Sequence, residues 1–431
     1  MCKRINLIRK KLDDLITKMS CNPESFVKNP GKDFTRSRKL DFSTVMRGIL
    51  SMGGGSLSRE MVRQTRFDMS HATVSAFVQK RDKLLPYAFK YLLSNFNKSV
   101  KIRRFHGYRV MAVDGSDLQI TTDPGKTDSY AHNQYGGYNY IHVNAVFDIC
   151  TGIYVDSLIQ PANRSNEIAA LKQMLEQPDS AEASIIVMDR NYESYNLLAH
   201  LNSIQQPFVL RIKDMESRGG IACGLKLNLA GEFDVQINRI LTRKQNKEIK
   251  TNPHIYHYLP SKVRFDFMDD KTGNCSISFR LTRFRIKENE YETIISNLSP
   301  DEFESEDIKR IYHMRWAIET SFRDLKYALG LVRLHSKKDE CIEMEILAKM
   351  IMYNFSSMVT CQVKVDRSAA KHEYKANFSL AIHICMEFFR GNALSSKVEA
   401  VISSTTLPVR KGRSYPRKWH KSPVNFNYRI S

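Results

Sequence analysis

The chain has 431 residues, 42% of them hydrophobic and 26% charged, a balance that excludes wholesale disorder and gives, at roughly 150 residues per unit, two to four structural units. No apolar run approaches the ~20 residues that span a bilayer, and the start MCKRINLIRKKLDDLI has neither an apolar h-region nor a small-residue cleavage site, so a cytoplasmic protein is expected. The formal charge of +20 is segregated: residues 1–110 hold 24 Lys/Arg against 8 Asp/Glu, residues 408–431 hold seven Lys/Arg and no acid, and the stretch between carries −3. Basic ends around a near-neutral body point to a polyanion, with nucleic acid first, although solubility charge is the plainer reading.

Residues 1–100 read as helical. Leu7, Ile8, Leu12, Leu15 and Ile16 recur at helical spacing, and a second helix over 42–51 ends at Gly53-Gly54-Gly55. LSREMVRQ, a break at Phe67-Asp68-Met69 and a helix opened by Ser70 as N-cap resemble a helix-turn-helix. Its second helix would offer Gln79, Lys80 and Arg81 to DNA, though any helical pair can look like this.

At residue 108 the pattern changes. YRVMAVDGSDLQI reads as a strand, YIHVNAVFDICTGIYVDSLI as a hairpin about Asp148–Gly152, and SNEIAALKQMLEQ as a helix capped by Ser165. SIIVMDR, ESYNLLAHLNSI and PFVLRI follow as strand, helix and strand. Three meandering strands and then alternating helices and strands imply an α/β (α+β) mixed sheet with helices packed on it. Residues 215–290 read as a β-rich insertion, ETIISNL as a returning strand, and DEFESEDIKRIYHMRWAIETSFRDLKYALGL as one long helix. More helix is expected to about residue 400, then a loose basic tail.

Eight cysteines form no C-x-x-C pair and read as small buried hydrophobes, and His254 and His257 stand without partners as metal ligands. Gly125-Lys126-Thr127 lacks the upstream glycine of a P-loop, because position 120 is Ile, and no H-E-x-x-H is present. The chemistry-bearing candidates are three acids. Asp114 ends the apolar strand VMAV, with Asp117 as an understudy, and Asp189 ends IIVM. Acids at strand ends of open sheets lie over the crevice where ligands bind. Each also has a bland reading, a turn aspartate for Asp114 and a helix cap for Asp189. On a helix advancing about 100° per residue, Tyr312, Arg315 and Lys326 fall within about 40° of Glu319, beside an apolar stripe of Ile311, Ile318, Phe322, Leu325 and Leu329. The bland alternative is a solvated Arg315–Glu319 pair at i,i+4. Trp316 flanks the stripe and reads as a packing residue.

IYHMRWAIETSFRDLK, with Tyr312-x2-Arg315-x3-Glu319-x6-Lys326, resembles the Y-(2)-R-(3)-E-(6)-K signature of bacterial insertion-sequence transposases of the DDE class. Asp114 in VMAVDGSD and Asp189 in VMDRNYESYNLL resemble that group's first and second catalytic aspartates, and Arg190 the arginine that often follows the second. The likeness spans about residues 40–350. It implies an RNase H-like core in two parts (106–214 and 291–350, the second with the Glu helix) with the insertion at 215–290; the chain's own pattern and charge add a helical DNA-binding domain at 1–105, a helical region at 351–407 and the basic tail at 408–431. It implies two Mg²⁺ ions (Mn²⁺ can substitute) on Asp114, Asp189 and Glu319, with Tyr312, Arg315 and Lys326 on phosphates. Double-stranded DNA, as element ends and target, is the implied partner. A homodimer would assemble on it in a bacterial, nucleoid-associated setting, without a membrane. A non-catalytic DNA-binding derivative, or a nuclease without strand transfer, would share these features.

Overall fold

The computed structural model describes residues 2–36, 39–64, 72–133, 136–176, 183–215, 217, 219–225, 227, 231–288, 290–365 and 373–409. The expected cap Ser70, the expected break at Phe67-Asp68-Met69 and nearly all of the basic tail lie outside the described residues.

Five helices open the chain: α1 (Cys2–Cys21), α2 (Phe42–Ser51), α3 (Leu57–Gln64), α4 (Val74–Arg81) and α5 (Tyr87–Asn97). In α1 the buried stripe is Ile5, Ile8, Leu12, Ile16 and Met19. Leu7, expected inside, is exposed, because the true stripe advances by three and four from Ile5. Asp41 caps α2 by accepting the Thr44 N–H at 2.7 Å. Thr73 caps α4 by accepting the Ala76 N–H at 3.2 Å.

The sheet follows. β1 (Arg109–Ile120), β2 (Tyr130–Asn133), β3 (Gly136–Asp148) and β4 (Ile153–Pro161) form antiparallel pairs. Next come α6 (Glu167–Leu175), β5 (Ser184–Met188), α7 (Tyr195–Ser203) and β6 (Phe208–Ile212). The cap of α6 is Asn166, which accepts the Ala169 N–H, and not Ser165, whose hydroxyl bonds back to the Ala162 carbonyl. β5 runs parallel to β1, and β6 parallel to β5. Every residue of β5 is buried, as expected of a strand covered on both faces.

β7 (Phe233–Thr242), α8 (Lys247–Thr251), β8 (Tyr256–Tyr258) and β9 (Asn274–Lys287) come from the expected insertion, and β10 (Glu290–Ser296) closes it. These strands do not form a separate sheet. β10 pairs with both β6 and β9, which gives one sheet in the order β2-β3-β1-β5-β6-β10-β9-β7-β8, with β4 also on β3.

α9 (Ser305–Met314), α10 (Trp316–Tyr327) and α11 (Asp339–Thr360) come next. A short antiparallel pair, β11 (Tyr374–Ala376) and β12 (Thr406–Pro408), brackets α12 (Phe378–Phe389) and α13 (Ser395–Ser404). The long helix expected over 301–331 is thus two helices, broken at Arg315, whose N–H bonds the Tyr312 carbonyl at i−3. α11 is buried on nearly all sides. Its Leu347, Ile351 and Phe355 share one hydrophobic core with Ile49 of α2, Leu92 of α5 and Ile318 of α10. The boundary expected at residue 105 therefore does not separate two cores. The other sheet face packs on α6 and α7, and α9 covers Val110, Ile185 and Val209.

Candidate active site

β1 and β5 pair in parallel only as far as Ala112 and Val187. β1 then runs on with β3 alone, so Asp114 stands where the two parallel strands part. One carboxylate oxygen accepts the Gly115 N–H at 2.9 Å. Burial, with Asp189 and Glu319 nearby, outweighs the attraction of Arg315 and pushes the Asp114 carboxyl up to about 7. Asp189 directly follows β5 and caps a short 3-10 turn, accepting the Asn191 N–H at 2.8 Å. Asp189 thus caps this short turn and not the following helix α7, whose N-cap is Ser194. Its carboxyl is raised, first by burial and then by the charges of Glu167 and Glu319.

Glu319 projects from the first turn of α10 and accepts from Arg315 Nη2 at 2.7 Å. Arg315 Nη1 lies 3.9 Å from the Asp114 carboxylate. Arg315 thus stands between Asp114 and Glu319, and its charge also reaches Asp189. Arg315 is itself buried, and its Nε and Nη1 have no hydrogen-bond acceptor. Among the described residues no three His, Cys, Asp or Glu side chains stand close enough together to hold a metal ion as they are, and Arg315 supplies the positive charge among the acids. The donor set nevertheless suits a hard divalent cation: it is all oxygen, and burial raises two of the acids, Asp114 and Asp189, against the pull of Arg315.

The remaining expected residues divide. Lys326 reaches the same region from α10 but donates to the main-chain carbonyl of Asp117 at 2.8 Å. Tyr312 is only 5% exposed and packs in the core under α9, its hydroxyl beside Arg211 and its ring 5.7 Å from the Arg315 guanidinium. Trp316, expected to pack, is 55% exposed as the first residue of α10. Arg190 is exposed beside Asp189. Gln79 is exposed on α4, and the Lys80 ammonium lies over the Phe34 ring at 5.0 Å. Arg81 is not a surface residue at all. It is buried against Glu345 at 3.4 Å and the His335 carbonyl at 3.2 Å, because α4 packs on the start of α11.

Three residues beside Asp114 were not found from sequence. His142 of β3 lies opposite Asp117 in the antiparallel β1–β3 register and approaches its carboxylate at 2.7 Å. Its other ring nitrogen approaches Glu167, the first residue of α6, at 3.1 Å. Gly115 makes room for both: a Cβ there would fall 2.1 Å from His142 Nε2 and 2.6 Å from Glu167 Oε1. No sequence signal pointed to them: β1 and β3 have β2 between them in the chain, and only their pairing register sets position 117 opposite 142.

Residues 105–355 match the family model described as the transposase DDE domain. No curated protein sequence matches the chain. Among solved structures, the chain is similar to the piggyBac transposase synaptic complex with hairpin DNA, determined by cryo-EM, at 10% identity and a TM-score of 0.44, over 96% of this chain and 84% of that one. The family match covers more than half of the chain and contains all three acids with the two strands and the helix that carry them: the chain belongs to the DDE transposase family.

Proposed function

We propose that the chain is an insertion-sequence transposase that binds its element's ends, cleaves phosphodiester bonds and transfers the 3′-OH ends into target DNA. The observation that carries this reading is the approach of Asp114, Asp189 and Glu319 to one another around Arg315. The order of β4, β3, β1, β5 and β6, three antiparallel strands and then two parallel ones, supports an RNase H-like core. Asp114, Asp189 and Glu319 would hold two Mg²⁺ ions, which Mn²⁺ can replace. Such ions supply an activated water for attack on the phosphodiester and stabilisation of the departing 3′ oxygen.

The chain's own groups do the rest. Arg315 has buried N–H donors without acceptors beside the acids, and these suit a phosphate oxygen. Lys326 fixes the end of β1 against α10 through the Asp117 carbonyl. Arg190, Gln79 and Lys80 remain the proposed contacts to DNA backbone. The charge on the N-terminal 110 residues and on the tail supports duplex binding, and two ends cut together call for a homodimer on DNA.

The test is Mg²⁺- or Mn²⁺-dependent cleavage and joining of a duplex bearing the element's own end, with Asp114→Asn, Asp189→Asn and Glu319→Gln. Each is expected to cut at least ~10²-fold more slowly while still binding DNA. Cleavage without joined product would make the protein a nuclease. A Glu319→Gln protein that cuts and joins like the parent would reduce Glu319 to a partner of Arg315 and leave a DNA-binding protein.

A further inference from the structure

We propose that the outer side of α10 binds unpaired nucleotides of the DNA strand that leaves the active site, with Trp316 and Tyr327 stacking on bases and Arg323 holding the backbone between them. This rests on the reading of the chain as a DNA-cutting enzyme above. α10 has three sides. Ile318, Phe322 and Leu325 are buried in the core. Glu319 and Lys326 face Arg315 and the end of β1. On the third side, at about 100° per residue, Trp316, Thr320, Arg323 and Tyr327 fall within about 60° of one another. Trp316 is 55% exposed, Tyr327 is 72% exposed, and Arg323 is exposed with them. This side adjoins the one that carries Glu319. Arg323 lies about 40° round the helix from it, and residues three apart, as Trp316 and Glu319 are, are surface neighbours with Cβ atoms about 5–6 Å apart.

Single exposed apolar side chains are ordinary. Two large aromatic residues on one stripe, with an arginine between them and no acid among them, suit a nucleic-acid strand. Along a duplex the base faces are covered by the neighbouring pairs, and a ring has nothing to stack on. An unpaired base offers its face whatever the sequence, and a guanidinium meets the phosphate beside it. The side chains of Asp114 and Glu319 are recessed, at 18% and 27% exposure. A phosphate reaches them only when its strand is drawn away from the duplex, and the nucleotides beyond it then lie unpaired beside Trp316. From Trp316 to Tyr327 the helix rises ~16 Å at ~1.5 Å per residue, the length of about five stacked nucleotides at ~3.4 Å each.

The chain's two tryptophans are Trp316 and Trp419, so Trp419→Phe in the full chain leaves Trp316 as the fluorescent reporter. This protein is titrated, in EDTA so that no strand is cut, with a blunt duplex and with the same duplex carrying a single-stranded oligothymidine extension. The extended duplex is expected to bind more tightly and to quench Trp316; the blunt one is expected to leave its emission unchanged. In the otherwise unaltered chain, with folding followed by circular dichroism, Trp316→Ala should weaken binding of the extended duplex by about 5- to 100-fold and spare the blunt one, and Trp316→Phe should restore most of the loss. Tyr327→Ala should act in the same direction, and Arg323→Ala should lower the log–log salt slope for the extension by about 0.7. Equal binding of the two duplexes without quenching overturns this inference and leaves the enzyme reading standing. So does a Trp316→Ala protein that binds the extended duplex like the parent or loses both duplexes alike. A fall in sedimentation mass of free Trp316→Ala would make the stripe a contact between copies of the chain, and also overturns it. Binding of neither duplex by the parent overturns both the inference and the reading of the chain as acting on DNA.

Discussion

Gly115 shows how one missing side chain shapes the site. Its backbone needs no unusual angle; what it lacks is volume, since a Cβ would overlap the His142 ring and the Glu167 carboxylate. Gly115→Ala is expected to lower stability by about 1–3 kcal/mol, as overpacking does, and to reduce cleavage far more than that loss of folded protein explains. Parent-like cleavage with an unchanged melting temperature would show that the ring can move aside at no cost. His142 gives a second test, on pH. Hydrogen bonds to Asp117 and then to Glu167 push its pKa up to about 9, against about 6.5 when unfolded. Its contribution to stability is therefore complete below about pH 6.5 and is lost as the pH rises through about 9. Asp117 is exposed, so water screens that side and the contribution is about 1–2 kcal/mol. Melting temperatures of the parent should fall across this window, and those of His142→Gln should fall less; equal slopes would contradict the assignment. Asp114 acts in the same direction at lower pH: its carboxyl is raised, so the stability it adds is lost between about pH 4 and 7. Asp114, Asp189 and Glu319 could be read from sequence because each follows an apolar run or sits in a spaced signature. His142 and Glu167 could not, because strand pairing and helix placement, not neighbours in sequence, bring them together.

At the scale of elements, the spacing of the signature was legible but its projection onto one helix was not. A continuous helix would put Tyr312, Arg315, Glu319 and Lys326 on one side. Tyr312 packs in the core at the end of α9, and Arg315, still αR in backbone at the junction, lies between Asp114 and Glu319. The helix pair α3–α4 was legible too, but the role of Arg81 was not, since its partner Glu345 lies 264 positions away in sequence. Their ion pair is buried on both sides, at 3% and 2% side-chain exposure. Arg81→Ala would take from Glu345 its guanidinium partner and leave it the His335 N–H and ring, and is expected to cost about 1–3 kcal/mol, read as a drop in melting temperature. Gln79→Ala, two residues earlier and exposed, should change stability by less than about 0.5 kcal/mol and weaken DNA binding instead. If Arg81→Ala melts like the parent yet binds DNA poorly, Arg81 is a DNA contact after all.

Across the whole molecule, the basic N-terminal region is not an independent module. Ile49 and Leu50 of α2 and Leu92, Leu93 and Phe96 of α5 are buried in the same core as α11 and α12. Gly330, just beyond α10, crosses so close to Gly54 that a Cβ on it would lie 2.9 Å from the Gly54 backbone. Arg390 on α12 binds the Ser51 carbonyl and Glu60, and Lys349 on α11 binds the Met52 carbonyl. A fragment of residues 1–105 would lose all of these partners and expose an apolar face across three helices. Without α11 and α12 its helices lose a large part of the apolar burial that offsets chain entropy. The fragment is therefore expected to be poorly helical and to self-associate, as measured by circular dichroism and sedimentation, despite a charge that favours solubility. The salt dependence of DNA binding then has to be read on the full chain, where about six phosphate contacts would give a log–log slope near −5. A monomeric fragment with a cooperative melt would show instead that α1 to α5 fold on their own, and that α11 is an addition to their core and not its centre.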